Sequence, residues 1–181
     1  MKVRLIVQPI GFSDRSLLYW LAGELRHRFP VPLDVKISLW TSSLDYTSVF
    51  DWSRMQFKAV EVNMLLQKLY SGVLVPGESV VLGLVAGDGY VEGLNFVFGL
   101  ATPEISIATI YTSRLETGDS SVYRLRVLKE AMHEVGHLLG LGHCPNRRCV
   151  MSFSNSVLEV DSKEPWFCPV CVSKLKSIVG V

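Results

Sequence analysis

Residues 133–143 read H-E-V-G-H-L-L-G-L-G-H, and no other stretch of the chain limits its fold and chemistry as tightly. Histidines four positions apart on a helix stand one turn from each other, with Cβ atoms about 5–6 Å apart, so both imidazoles can reach one ion. The spacing therefore predicts a helix through His133 and His137. Leu125, Leu128, Met132, Val135 and Leu139 form an apolar stripe expected to seat that helix on a core, leaving the histidine pair facing away from the seam. Gly140 is placed to adopt a left-handed conformation just past the helix and to turn the chain so that His143 returns to the same ion.

Three neutral imidazoles give a tetrahedral zinc site whose fourth position stays free for water, the arrangement of catalytic sites. Glu134 lies about 100° around the helix from His133, where its carboxylate can take a proton from that water and pass it to a leaving amine. An isolated H-E-x-x-H is also compatible with histidines that merely pack. The full pattern is more specific: five residues in register arise by chance in roughly one chain in 10⁵ of this size.

Four cysteines, Cys144, Cys149, Cys168 and Cys171, all follow the third histidine in the spacing C-x4-C-x18-C-x2-C. Four thiolates make a closed tetrahedral structural site, so a second zinc is expected there, the alternatives being two disulfides or free thiols. The N-terminal apolar stretch is short and meets Gln8 and Pro9, which predicts a strand and no signal peptide. With no export signal, clustered cysteines fit metal ligands in a reducing cytoplasm.

Apolar residues at 49% and charged ones at 19% place the 181-residue chain among folded domains. A net charge of +1 offers no broad basic surface, so neither nucleic acid nor a membrane surface is an expected partner. No apolar run approaches the roughly 18 residues of a membrane span. A monomer is expected.

Strands are predicted over 2–7, 33–40, 79–86, 95–101 and 105–112, and helices over 13–29, 59–70 and from 119–121 to 139. Ser13 or Asp14 is the candidate cap of the first helix, and Gly72 ends the second. Residues 41–53 lack a period and read as loop, 87–89 as a turn, and the cysteine-bearing tail as irregular. The order β-α-β-α-β-β-β-α implies a layered α/β domain.

With these motifs assembled, the chain resembles the metzincin metallopeptidases, whose H-E-x-x-H-x-x-G-x-x-H is followed by a methionine turn. Met151 matches that methionine, which in the group is a hydrophobic floor beneath the metal; ordinary core packing would give it a similar environment. The sequence His143-Cys144, Cys149-Val150-Met151 and Cys168-Pro169-Val170-Cys171 narrows the resemblance to the archaemetzincins. Arg54-Met55-Gln56-Phe57-Lys58-Ala59 and Asn95-Phe96-Val97-Phe98-Gly99-Leu100-Ala101 also look like that family. The 16 residues between Met151 and Cys168 are about one fewer than its pattern.

The resemblance implies one zincin-like α+β catalytic domain: a mixed twisted sheet with backing and active-site helices over 1–140, and a small zinc-bound lobe over 141–181. It implies two zinc ions, one on His133, His137 and His143 and one on Cys144, Cys149, Cys168 and Cys171. Because Cys144 follows His143 directly and Cys149 precedes Met151 by two residues, the thiolate centre would clamp both the third ligand and the floor, replacing a longer C-terminal lobe. It further implies an extended peptide substrate aligned along an antiparallel edge strand, for which 95–101 is the candidate, although its apolar composition fits an interior strand equally well. No tyrosine follows Met151 to stabilise an oxyanion, and Tyr111, His27 and Arg114 are polar residues to which no such role can be assigned from sequence. Three functions stand as candidates: a metallopeptidase acting through Glu134, as an aminopeptidase or short-peptide hydrolase; a catalytically weak zinc protein that binds peptides; and a zinc-ribbon module recognising nucleic acid, which explains the cysteines but ignores the histidines.

Overall fold

A computed structural model of the chain describes residues 2–12, 14–38, 46–75 and 77–180. Strands β1 (Val3–Ile10), β2 (Leu33–Ile37), β5 (Ser79–Val85), β7 (Gly99–Thr102) and β8 (Ile107–Tyr111) form one sheet in the order β2-β1-β5-β8-β7. The first four are mutually parallel, and β7 pairs antiparallel with β8 at the edge. Three short strands, β3 (Phe50–Asp51), β4 (Gln56–Lys58) and β6 (Gly89–Tyr90), make a second small sheet. The architecture is the expected mixed α/β one.

Period-two alternation divides the strand side chains between two cores. Val3, Leu5, Val7, Val80, Leu82, Leu84, Ala108 and Ile110 face helices α1 (Arg15–Arg28) and α3 (Ser120–Leu138). Ile6, Ile10, Val81, Val85, Ile107 and Tyr111 face helix α2 (Ala59–Tyr70). Both faces of the parallel strands are thus buried, which accounts for their nearly unbroken apolar composition.

Strand β1 runs through Pro9 because of where its neighbour stops. Even-numbered residues of β1 turn their polar groups to β5, whereas Val3 and Val7 turn theirs toward β2. Pro9 therefore has its missing N–H on the β2 side, beyond the last pair with that strand, Val7 with Ile37.

Asp14 caps α1 by accepting from the Ser16 and Leu17 N–H groups; the alternative cap Ser13 lies outside the described residues. So do 39–45, and with them the end of the strand expected over 33–40 and the start of the loop expected over 41–53. The rest of that loop contains a 3-10 turn (Tyr46–Val49) and β3. The strand expected over 95–101 is confined to Gly99–Thr102; Val97 instead donates its N–H to the Gly89 carbonyl, drawing the preceding residues toward the small sheet.

The tail is not irregular. It carries α4 (Val157–Ser162) and α5 (Pro169–Val179), with Val160, Leu175 and Val179 in the same core as β1. Cys168 stands at the N-cap position of α5 with Pro169 at its first position, so the last two cysteines lie in one helical turn. Among the described residues no helix is long and apolar enough to cross a membrane.

Candidate active site

Helix α3, capped by Asp119, carries His133, Glu134 and His137 through the centre of the molecule. Leu128, Met132 and Val135 are buried, as the stripe predicts, whereas Leu125 is exposed near the helix start. Past Leu139 the chain turns at Gly140, whose φ is +93°, with the Gly140 N–H on the His137 carbonyl and the Leu141 N–H on that of Gly136. The turn returns His143 to the other two histidines, and one ring nitrogen from each lies within 4.8 Å of the others.

The donor chemistry of this cluster fits a cation. His133 Nδ1 and His137 Nδ1 lie 2.8 and 2.7 Å from the Val150 and Leu141 carbonyls. Carbonyls only accept, so each Nδ1 carries the proton and each Nε2 presents a lone pair. The two Nε2 atoms face each other at 3.0 Å. Burial, reinforced by Lys163 and the neighbouring His137, pushes the His133 imidazole down to about 2, so it is neutral. Two lone pairs at that separation repel unless a cation lies between them; around tetrahedral zinc, ligand nitrogens stand roughly 3.3 Å apart.

Met151 lies beneath the ligand-bearing turn and is fully buried. A Cβ on Gly136 would sit 2.4 Å from Met151 Sδ and 3.3 Å from the Phe167 ring, so the motif's internal glycine lets the floor close against the helix.

The four cysteines converge next to this site. Cys144 Sγ is 3.7 Å from Cys168 Sγ, and Cys149 Sγ is 3.7 Å from Cys171 Sγ. Thiolates around tetrahedral zinc stand roughly 3.8 Å apart, and a disulfide needs about 2.05 Å, so the spacing fits a metal and not two bridges. The clusters share backbone: Val150, which receives the His133 hydrogen bond, follows Cys149, and the Cys144 N–H donates to the Met151 carbonyl at 2.9 Å.

A cleft of about 660 Å³ opens over the histidines, with Phe96, Phe98 and Gly99 among the residues on one wall and Phe153, Ser154 and Asn155 on the other. Glu134 lies in its floor. Its carboxylate accepts from the Ala101 N–H, while burial and then the nearby Glu130 hold its carboxyl well above the usual range, partly offset by Lys163. The Phe98 and Leu100 carbonyls point inward, to the Tyr111 N–H and Asn63 Nδ2, which by antiparallel alternation turns the polar groups of Gly99 and Ala101 toward the cleft. The candidate substrate strand is thus an edge strand, with Asn63 also donating to Thr102 Oγ1.

Gly99 touches Glu134 directly: a Cβ there would lie 2.4 Å from Oε1. Gly99→Ala is expected to displace the carboxylate and lower kcat roughly 10²-fold while zinc content stays unchanged, since misplacing a reacting group by about 1 Å costs that much. Steady-state kinetics beside metal analysis checks this, and an unimpaired kcat would contradict it.

Glu130, one turn before Glu134, receives Lys163 Nζ at 3.0 Å, and Lys163 also donates to the Ser152 carbonyl. The two side chains are only 4% and 1% exposed. Removing one partner leaves a buried charge uncompensated, so Lys163→Ala is expected to destabilise the zinc-loaded fold by about 3–5 kcal/mol. Denaturant unfolding measures it, and a change under about 1 kcal/mol would show that the pair is not needed.

Spacing located every histidine and cysteine in these two clusters. It missed Gly99, Glu130, Phe153 and Lys163. Glu130 had one signal, a charged side chain on the buried stretch of α3; the others sit in loops or in a strand whose partners sequence does not specify. Tyr111 is buried in the α2 core, and neither His27 nor Arg114 lines the cleft.

Comparison with known proteins places this geometry. The model of peptidase family M54 matches residues 36–177. The chain is 50% identical over 174 residues to an archaemetzincin of Archaeoglobus fulgidus, covering 96% of this chain and 99% of the relative. Among solved structures it is similar to archaemetzincin from Methanopyrus kandleri, with TM-score 0.83 and 33% identity over 99% of this chain and 97% of the other. It is similar also to a zinc-dependent peptidase from Methanocorpusculum labreanum, with TM-score 0.82 and 27% identity over 94% and 99%.

Proposed function

Because this chain belongs to the archaemetzincins of peptidase family M54, and is with them a zinc-dependent metallopeptidase, we propose a specific division of labour among its residues. His133, His137 and His143 hold the catalytic zinc, Glu134 moves the proton, and Cys144, Cys149, Cys168 and Cys171 hold a structural zinc. The observation that carries this is the convergence of three imidazoles, two with their lone pairs fixed toward each other by carbonyls behind them, at the floor of an open cleft.

Zinc at that position supplies Lewis acidity, polarising the scissile carbonyl and acidifying a bound water. The Glu134 carboxylate accepts the proton of the attacking water and delivers it to the leaving amine. Ala101 N–H holds that carboxylate in place. An extended peptide lies along β7 as an added strand, bonded to the outward-turned groups of Gly99 and to the Ala101 carbonyl, since the Ala101 N–H is taken by Glu134. Phe96 and Phe98 make an apolar wall for its side chains, and Asn155 contributes a polar group to the opposite wall. Within that activity we favour an aminopeptidase or short-peptide hydrolase, which peptide digestion tests directly. Residues 141–181 serve as a lobe built on the thiolate centre, and thiols arranged for a metal suit a reducing compartment, which supports a cytoplasmic placement.

One observation favours the second reading, a peptide-binding protein with slow turnover. Among the described residues no tyrosine, arginine or lysine lines the cleft to stabilise an oxyanion. Digestion of a peptide library by the zinc-loaded protein, with and without a chelator, separates the two. The first reading expects cleavage that the chelator abolishes and added zinc restores. Two bound zinc ions without cleavage would favour the second, and a single zinc on the cysteines would contradict both.

A further inference from the structure

Two of the three clustered imidazoles are tethered through Nδ1, His133 to the Val150 carbonyl and His137 to that of Leu141. Among the described residues no carbonyl or carboxylate holds a ring nitrogen of His143 in the same way, and His143 is exposed. An exposed side chain following Gly142 in a loop has several staggered rotamers open to it. Yet its ring stands 5.3 Å from that of His133 and 4.7 Å from that of His137, within reach of the same ion.

The remaining ring against it is Phe153, edge-on, with centroids 5.1 Å apart and planes at 68°. Phe153 is 59% exposed, so core burial does not explain where it sits. The backbone does: the Cys144 N–H donates to the Met151 carbonyl, joining the residue after His143 to the turn two residues before Phe153.

We propose that Phe153 is a positioning residue for the third metal ligand, its ring fixing by edge-to-face contact the orientation of His143 that a hydrogen bond to a carbonyl fixes for His133 and His137. The inference rests on the three-histidine zinc site proposed above. Losing a group that orients a metal ligand typically weakens metal affinity by about 10–100-fold; for a single aromatic contact at an exposed ligand the low end, about 10-fold, is expected.

The test is zinc affinity, measured by competition with a chromophoric chelator and without substrate. In Phe153→Ala one of the two zinc ions should bind about 10-fold more weakly while the other is unchanged. Phe153→Leu, which keeps apolar bulk in the loop should alanine disturb it, should also lose affinity, and Phe153→Tyr, which keeps the ring, should not. Wild-type affinity in the alanine or leucine variant, with only KM for peptides raised, would overturn the proposal and make the ring a wall of the substrate cleft. So would a tyrosine variant as weak as alanine. Failure of the underlying site shows separately, as a wild-type protein that binds zinc at the thiols alone.

Discussion

Glu134→Gln is expected to lower kcat by about 10²–10⁴-fold while both zinc ions stay bound. The substitution keeps the size of a side chain that is buried beneath Gly99 and Ala101, and it removes the proton acceptor from the cleft floor. Glutamine can still accept the Ala101 N–H through its carbonyl, so the fold and the imidazoles have no reason to rearrange. Steady-state kinetics on a cleaved peptide, beside metal analysis of the same sample, reads both halves of the prediction. Activity within a few-fold of wild type would remove Glu134 from the chemistry, and loss of zinc together with activity would give it a structural role.

Cys168→Ser is expected to have an effect of comparable size at two sites. Cys168 faces Cys144 across the thiolate cluster, and its N–H donates to Cys149 Sγ. Losing one thiolate weakens the structural site, whose zinc in small domains is worth on the order of 10 kcal/mol of folding free energy. The catalytic site should weaken with it. The Val150 carbonyl that orients His133 and the Met151 carbonyl that ties down Cys144 both belong to the segment that starts at Cys149. Catalytic-zinc affinity is expected to fall about 10–100-fold, as when an outer partner of a ligand is lost. Chelator competition on the variant measures it, with unfolding monitored in parallel. A folded Cys168→Ser protein with undiminished catalytic-site occupancy would show that the two centres are independent.

What sequence revealed of this molecule follows from the range of the interactions involved. His133, His137 and their glycine bend are local, so spacing is enough to find them, and the nearly unbroken apolar runs of β1, β5 and β8 are what strands buried on both faces require. The stretch 95–98 has strand composition but pairs through Val97 with the small sheet, and composition cannot name a partner. The tail also carries local helix signals. Ser156 caps the Glu159 N–H while the Glu159 carboxylate reaches back to the Asn155 N–H, a form of capping box, and Pro169 with Gly180 brackets α5. Both helices are short and interleaved with the metal-ligand spacing, so cysteine positions dominate the sequence pattern there. The Glu130–Lys163 pair is different: its partners lie 33 residues apart, and no local pattern joins them.

Anomalous scattering at the zinc edge from crystals of the zinc-loaded protein bears most directly on the central claim. Two peaks are predicted, one about 2.0–2.1 Å from a nitrogen of each of His133, His137 and His143 with a side open to the cleft, the other about 2.3 Å from four sulfurs. A single peak among the sulfurs, or a histidine-bound ion whose remaining position is closed by a protein side chain, would contradict the account.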